Sequence, residues 1–320
     1  MRTCIKILYS ILIFCALTLG FSDFNGKVNA QSPVAQPQQA EKKGLEVDPA
    51  FQEVTISPQE REKNIIITLT NHQSESINLE LFPVTFNPRD SSGLAQFEVD
   101  ESGSYSYSLS SYIVLPYRDI TLQPGEHKDV QLIIQNRQDM PSGGTYVALI
   151  ARQKKIETSD TATILPSISS MIFIHKTGGE IYNLRLKDIS FPNSPFHMTY
   201  PKHLKLTFQN EGNIHLIPRG RVEIRDVLGR LVAKGVINTA SAYVFPSSQR
   251  SVDVQLDTIS TQLPISLNTI TVQGTDSLHK TTFILSDTFL YIHPLVVAGI
   301  SLISILFMYY LWICKRRNIS

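Results

Sequence analysis

The residues best suited to do chemistry lie far apart in the chain. Ser277-Leu278-His279-Lys280 has the Ser-x-x-Lys spacing in which a lysine amine can take the proton of a serine nucleophile. Lys176-Thr177-Gly178 supplies the Lys-Thr-Gly that accompanies it in acyl transfer. The order is reversed here, and the serine would have to open a helix in a mixed helical domain, which the strand-forming pattern around it does not provide. Catalysis is therefore not expected. The eight histidines have no metal spacing; His197 and His203, six apart in a proline-rich stretch, come nearest. Asp90-Ser91-Ser92-Gly93 and Asp100-Glu101-Ser102-Gly103 offer oxygens to calcium, but neither has the full alternating ligand set, so both read as turns. Arg219, Arg221, Arg225 and Arg230 form a basic stretch interrupted by Glu223, which reads as a solvated strand face. No metal or cofactor is expected.

One segment has the makings of a binding surface. In Tyr105-Ser106-Tyr107-Ser108-Leu109-Ser110-Ser111-Tyr112, rings alternate with hydroxyls. Tyrosines two apart share one face of an extended chain, where they can stack on sugar faces while their hydroxyls bond to polar rims. The same rings could equally cover the edge of a folded domain. Tyr105, Tyr107 and Tyr112 are the candidate binding residues.

These residues need elements to hold them, and composition bounds what those are. The chain has 320 residues, with 29 Lys+Arg against 28 Asp+Glu and a net charge of +1, so it lacks the basic field that nucleic-acid binding needs. At 42% hydrophobic and 18% charged it can fill a core and has apolar residues to spare. Of the three cysteines, Cys4 and Cys15 lie near the start and Cys314 near the end, which leaves none for a disulfide in between. The absence of an Asn-x-Ser/Thr acceptor other than Asn318-Ile319-Ser320 joins that observation in pointing to a bacterial surface protein.

The ends of the chain set an expected topology. Residues 1–30 read as a secretory signal peptide: Arg2 and Lys6, an apolar run, then Val28-Asn29-Ala30 before Gln31. Phe14 before Cys15 argues against a lipoprotein. Residues 31–44 are Gln/Pro-rich and read as a disordered leader. Residues 289–313 carry no charge and are long enough to span a ~30 Å hydrocarbon core, with Phe289 and Tyr291 at one border and Tyr309, Tyr310 and Trp312 at the other. Lys315, Arg316 and Arg317, in the tail 314–320, then place the C-terminus in the cytoplasm and the bulk of the chain outside a single-pass cell membrane protein.

Between the ends, short runs alternate apolar and polar residues: Ile65-Ile67-Leu69, Ile77-Leu79-Leu81, Val130-Leu132-Ile134 and others. That period of two, broken by turn residues, predicts antiparallel strands half-buried in a sandwich. Pro124-Gly125-Glu126 is a turn whose flanking strands should pair. The grammar repeats. Ile65 to Asn71 has a counterpart in Leu204 to Asn210, and Leu122-Gln123-Pro124-Gly125 has one in Val244-Phe245-Pro246-Ser247. The fold class expected is all-β: two tandem immunoglobulin-like antiparallel β-sandwiches, residues 45–176 and 180–286, joined at Thr177-Gly178-Gly179, plus one C-terminal transmembrane α-helix. An insertion at 87–111 carries the tyrosines.

Tyr112-Ile113-Val114-Leu115-Pro116-Tyr117, Ile120 to Glu126 and Gly143 to Ile150 resemble the WxL-interacting protein family of bacterial cell surfaces. The resemblance implies a first domain that binds peptidoglycan and a second that holds a surface protein. The second domain, at Phe208 to His215 and Pro218-Arg219-Gly220, is also similar to a broader class of bacterial immunoglobulin-like surface domains. The function expected is non-catalytic binding of cell-wall glycan or a surface protein. The alternative is a chaperone-like or assembly module that adds a β-strand to a secreted client, which would need a long, uncharged, exposed edge.

Overall fold

The computed structural model describes residues 44–88, 95–97, 112–154, 166–190 and 196–317. The expected signal peptide, the leader up to residue 43, most of the 87–111 insertion and residues 318–320 lie outside the described residues.

The first sandwich runs β1 (Leu45–Asp48), β2 (Phe51–Ile56), β3 (Glu62–Asn71), β4 (Ile77–Pro88) and β5 (Ala95–Phe97). It continues with β6 (Ile113–Val114), β7 (Asp119–Leu122), β8 (His127–Gln135), β9 (Gly143–Gln153) and β10 (Ser167–Lys176). One sheet has the order β1-β3-β8-β6; the other has β2-β10-β9-β4-β5, with β7 also on β4. Alternation places Ile65, Ile67 and Leu69 of β3 and Val130, Leu132 and Ile134 of β8 in the core between them. Strands β4 and β9 depart from it. Val147 and Leu149 face that core, yet Tyr146, Ala148 and Ile150 on the opposite face are buried too, beside Phe82, Val84 and Phe86.

The Pro124-Gly125 turn does not close a hairpin. Strand β7 pairs with β4 and β8 with β3, so the turn carries the chain from one sheet to the other. The reason is Asn71, whose backbone N–H donates to Glu126 O and whose carbonyl accepts from Gly125 N, at 2.9 and 2.8 Å. Its fully buried side-chain amide donates to Glu75 O at 2.8 Å and to Leu122 O and Gln123 O at 3.2 and 3.1 Å.

The second sandwich repeats this plan with β11 (Leu184–Ser190), β12 (Phe196–His197), β13 (His203–Asn210), β14 (Pro218–Arg225) and β15 (Leu231–Ile237). After these come β16 (Ser248–Gln255), β17 (Asp257–Thr258), β18 (Ile265–Asp276) and β19 (Thr282–Ile292). Its sheets are β11-β13-β16 and β12-β19-β18-β14-β15-β17. In both sandwiches a short strand joins an edge in parallel, β2 on β10 and β12 on β19; the other pairings are antiparallel. Asn210 takes the place of Asn71: its buried amide donates to Ile214 O at 2.7 Å and Val244 O at 2.9 Å and accepts from Gly212 N at 2.9 Å.

The two loops that Asn210 ties together are the ones that dock on the first sandwich. Tyr243 and Phe245 close over Phe86, Tyr146 and Phe173, with Phe245 edge-on to Tyr146 at 4.7 Å and Tyr243 to Phe173 at 5.2 Å. Burying Phe245 there contributes roughly 2 kcal/mol. From the other loop, His215 N–H donates to the Tyr146 hydroxyl at 2.9 Å, and that hydroxyl lies 3.1 Å from His215 Nδ1. His215 Nε2 lies 3.1 Å from Glu53 Oε1, so the partners select the tautomer with its proton on Nε2. Asn213 O accepts from Gly144 N at 2.8 Å, and Asn213 Nδ2 donates to Ser142 O and Gly179 O. Gly143 sits at φ 97°, where a Cβ would collide with the Asn213 carbonyl. The linker is also held: Gly178 and Gly179 N–H donate to Glu180 Oε2, and His175 lies 3.1 Å from Glu180 Oε1.

Strand β19 continues past the expected domain end at Ser286. Phe289 and Tyr291 are 2% and 4% exposed and pack with Tyr200 in the second core, so they are not membrane-border aromatics. Hydropathy runs straight through this segment, but the alternation of Phe289 and Tyr291 with Leu290 and Ile292 keeps it a strand until His293-Pro294. Helix α1 (Pro294–Arg317) then begins with proline in its first turn, where the missing N–H costs least. Its 24 residues reach ~36 Å, enough to cross a bilayer, and none of its apolar window is buried. Ser301 and Ser304 turn their hydroxyls back onto Val297 O and Ile300 O.

Asn210→Ala removes the side-chain partner of the Ile214 carbonyl and of the Gly212 N–H and one of the two donors to Val244 O, which keeps Leu216 N–H, so it should lower stability by about 2–4 kcal/mol in urea unfolding. Asn71→Ala should cost a similar amount, but only Asn210→Ala should also abolish the near-ultraviolet circular dichroism of the docked aromatics. A loss below ~0.5 kcal/mol for both would contradict the clamp. The junction should also be acid-sensitive. The His215 hydrogen bond holds the Glu53 carboxyl below 4.5, and the N–H groups of Gly179, Glu180 and Gly178, with His175, hold Glu180 at about 2. Both pKa values are depressed on folding, so their stabilisation is complete above pH 4.5 and lost as the pH falls, for Glu180 by about pH 2. The near-ultraviolet signal should fall across that window and fall less in Glu180→Gln; an unchanged profile would contradict this.

Candidate protein-binding edge

Of the three candidate tyrosines, Tyr112 is described: it is 5% exposed, packed in the first core, and donates its hydroxyl to Asp139 O at 3.0 Å. It offers no ring face to a sugar. Tyr105 and Tyr107 lie outside the described residues, as do Asp90 to Gly93 and Asp100 to Gly103.

The residues of the Ser-x-x-Lys pattern are engaged in structure. Ser277 to Lys280 form the β18–β19 turn, in which the buried Asp276 carboxylate accepts from Leu278 N at 2.7 Å, Lys280 N at 2.9 Å and Thr281 Oγ1 at 2.8 Å. Lys176, in the other sandwich, donates to Met140 O at 2.8 Å. His197 lies on β12 and His203 on β13, strands of different sheets. The arginines are paired: Arg221 and Arg225 flank Glu223 at 2.9 and 3.0 Å, Arg230 holds Asp226 at 2.7 Å, and Arg219 donates to Asn238 O and Ser241 Oγ. Among the described residues, no group of three His, Cys, Asp or Glu is placed to hold a metal.

An edge strand exposes unpaired N–H and C=O groups, and proteins blunt it with charge, bulges or brevity. Strand β11 has Arg185, Lys187 and Asp188 and a register shift between Leu186 and Asp188. Strand β16 has Arg250 and Asp253, and β2 has Glu53, engaged by His215. The free side of β8 has His127, Lys128 and Asp129, with the Tyr117 hydroxyl on Asp129 O and Lys128 over the Tyr117 ring. Strand β19 has none of these devices along Thr282-Phe283-Ile284-Leu285-Ser286. It pairs with β18 throughout, while on its other side, among the described residues, β12 pairs only with Leu290 and Tyr291, and β11 of the opposite sheet lies near it without pairing. Ile284 is 71% exposed, the most of any large apolar side chain described.

Beside this edge lies an open groove of about 690 Å³ across β14, β18 and β19. Gly220 and Gly274, opposite each other in register, form its floor. A Cβ on Gly220 would collide with Gln273 O and one on Gly274 with Arg219 O, so the close strand approach requires glycine at both. Arg221, Gln273 and Ile284 form one wall. Gln273, turned so that its amide oxygen faces Arg221, accepts from Nε at 2.9 Å and Nη2 at 2.6 Å. At the top of the hairpin, Lys280 Nζ sits 5.8 Å over the Tyr182 ring, and burial, aided by the Glu180 and Asp276 charges, pushes the Tyr182 hydroxyl pKa up. The edge thus starts beside the interdomain linker and ends at the helix. The uncharged run was visible in the sequence, but its position at an edge depends on which strands pair.

No family model matches the chain, and no curated relative does. Among solved structures it is similar to a chaperone–tip adhesin complex of CFA/I fimbriae biogenesis, at 10% identity and a TM-score of 0.44 over 77% of this chain and 98% of that one. A class 5 fimbriae chaperone is similar at 9% identity and a TM-score of 0.43, over 77% and 99% of the two chains. A chaperone–tip adhesion subunit pre-assembly complex of archaic chaperone-usher pili from Acinetobacter baumannii follows at 12% identity and 0.38, over 76% and 97%. At these identities the likeness is one of fold.

Proposed function

We propose that this chain is a non-catalytic, membrane-anchored binding protein that holds an extended segment of a secreted or surface protein by adding it as a strand to the β19 edge. The observation that carries this reading is the uncharged run Thr282 to Ser286, with Ile284 71% exposed, which among the described residues no strand pairs on its outer side. Main-chain hydrogen bonds supply affinity in this mode, and alternate side chains of the guest supply specificity by meeting Ile284 and the groove. An apolar segment of low charge is the guest this surface suits.

The anchor is α1. Lys315, Arg316 and Arg317 favour the cytoplasmic side for the C-terminus, which puts both sandwiches outside, in agreement with the secretory leader read at residues 1–30. The resemblance to WxL-interacting proteins leads to the same assignment of a protein partner to the second domain. Glycan binding by the first domain rests on the same resemblance and on Tyr105 and Tyr107, since Tyr112 is buried, and the geometry gives the protein partner the stronger support.

A random-peptide library selected against the full chain in nanodiscs tests this. A selected peptide should slow amide hydrogen exchange at Thr282 to Ser286 at least tenfold, about 1.4 kcal/mol. Ile284→Lys should weaken its binding by roughly tenfold while changing stability by less than ~0.5 kcal/mol. Protection that falls on another strand, or binding untouched by Ile284→Lys, would contradict the proposal.

A further inference from the structure

The end of the second sandwich nearest α1 is uncharged and aliphatic on its outer face. Register pairs Ile265 with Ile292 and Leu267 with Leu290, on the face opposite the buried Ser266, Asn268, Phe289 and Tyr291. Ile265 and Leu267 are each 53% exposed. The two rows above them are hydroxyls, Thr269 with Thr288 and Thr271 with Ser286. Residues 258–275 contain no Asp, Glu, Lys or Arg. Strand β14 has Arg225 opposite Thr269, so the turn that follows it lies level with Leu267. That turn presents Val227 and Leu228, 64% and 68% exposed. It is built to keep its shape: the Asp226 carboxylate accepts from Leu228 N and Arg230 N at 2.9 and 3.0 Å. Arg225 and Arg230 stand at its base, each about half exposed.

This surface is continuous with the apolar helix. Only His293 separates β19 from α1; its N–H donates to Pro264 O at 2.8 Å, and its Nδ1 accepts from Leu295 N at 3.2 Å. The helix therefore leaves the sandwich in a direction set by hydrogen bonds, with Ile265 and Ile292 at its start.

We infer that the second sandwich is seated in the lipid surface: Val227, Leu228, Ile265, Leu267, Leu290 and Ile292 enter the boundary between headgroups and acyl chains. The reading of α1 as a membrane span underlies this inference. Two aliphatic rows cover ~7 Å along the strands, within the ~5–10 Å depth at which apolar faces sit in a bilayer interface. The hydroxyl rows then fall at headgroup level, where the half-exposed Arg225 and Arg230, paired with Glu223 and Asp226, lie beside the lipid phosphates. Seated this way, the sandwich is held by more than one swivelling helix, and Ser286 stands ~20 Å along β19 above Ile292.

The test uses the full chain in nanodiscs of phosphatidylcholine and phosphatidylglycerol brominated near the headgroup end of the acyl chains. Three tryptophan reporters are compared: the native Trp312, Leu228→Trp with Trp312→Phe, and Ile284→Trp with Trp312→Phe. The seat predicts that bromolipid removes roughly half or more of the emission at position 228 and leaves position 284 unquenched. Quenching of Trp312 without quenching at 228 would overturn the seat and leave the membrane span intact. No quenching of Trp312 would overturn the span on which the seat rests. Equal quenching at 228 and 284 would also overturn it, since the sandwich would then lie flat on the lipid.

Discussion

The side-chain amide of Asn210 is the constraint on which the arrangement depends. It is fully buried, and it bonds one loop through Ile214 O and another through Val244 O. Those loops carry His215 and Asn213 on one side and Tyr243 and Phe245 on the other, the residues that close over Tyr146 and Phe173. A buried amide left without partners would cost more than its hydrogen bonds contribute, so each loop has little freedom to leave its place. Asn71 does the same within the first sandwich, tying Glu75 O to Leu122 O and Gln123 O. One local device, used twice, thus serves once to hold a sandwich together and once to hold two sandwiches to each other.

With the junction fixed, β19 becomes the element through which everything else is connected. It starts at the Asp276 turn beside the interdomain linker, has a side along Thr282 to Ser286 that no strand among the described residues pairs, buries Phe289 and Tyr291 in the core, and passes through one residue into α1. A guest strand added there would stand at a set distance and direction relative to α1. The same long strand pairs with β18 over its full length, which gives an exposed edge the rigidity it needs to serve as a template.

Much of the fold was legible in the sequence because one face of most strands is buried and the other is wet. Ile65-Ile67-Leu69 and Val130-Leu132-Ile134 announce themselves by period, and the repeat of Asn71 in Asn210 was visible as well. Its meaning was not, since the partners Leu122 and Val244 lie far along the chain and only folding brings them to the amide. The Pro124-Gly125 turn read as a hairpin because a turn's local chemistry is the same whether its strands pair with each other or with different sheets. The aromatic junction escaped because Phe86, Tyr146 and Phe173 sit on the face that alternation assigns to solvent. Hydropathy merged the end of β19 with the helix, because Phe289 to Ile292 is apolar for two different reasons. Among the candidate tyrosines, Tyr112 went to the core, and nothing in its neighbours' types distinguished a ring that stacks on sugar from one that packs on Ile113.

The most direct measurement is residue-level amide hydrogen exchange on the unliganded full chain in nanodiscs. If β19 is an open edge in a rigid two-sandwich arm, amides within Thr282 to Ser286 should alternate, those paired to β18 slow and those facing outward fast, while Gly144 at the junction is among the slowest. Uniform protection of β19 equal to that of β18 would mean that another segment already occupies the edge, and the account of a strand-accepting protein would be wrong.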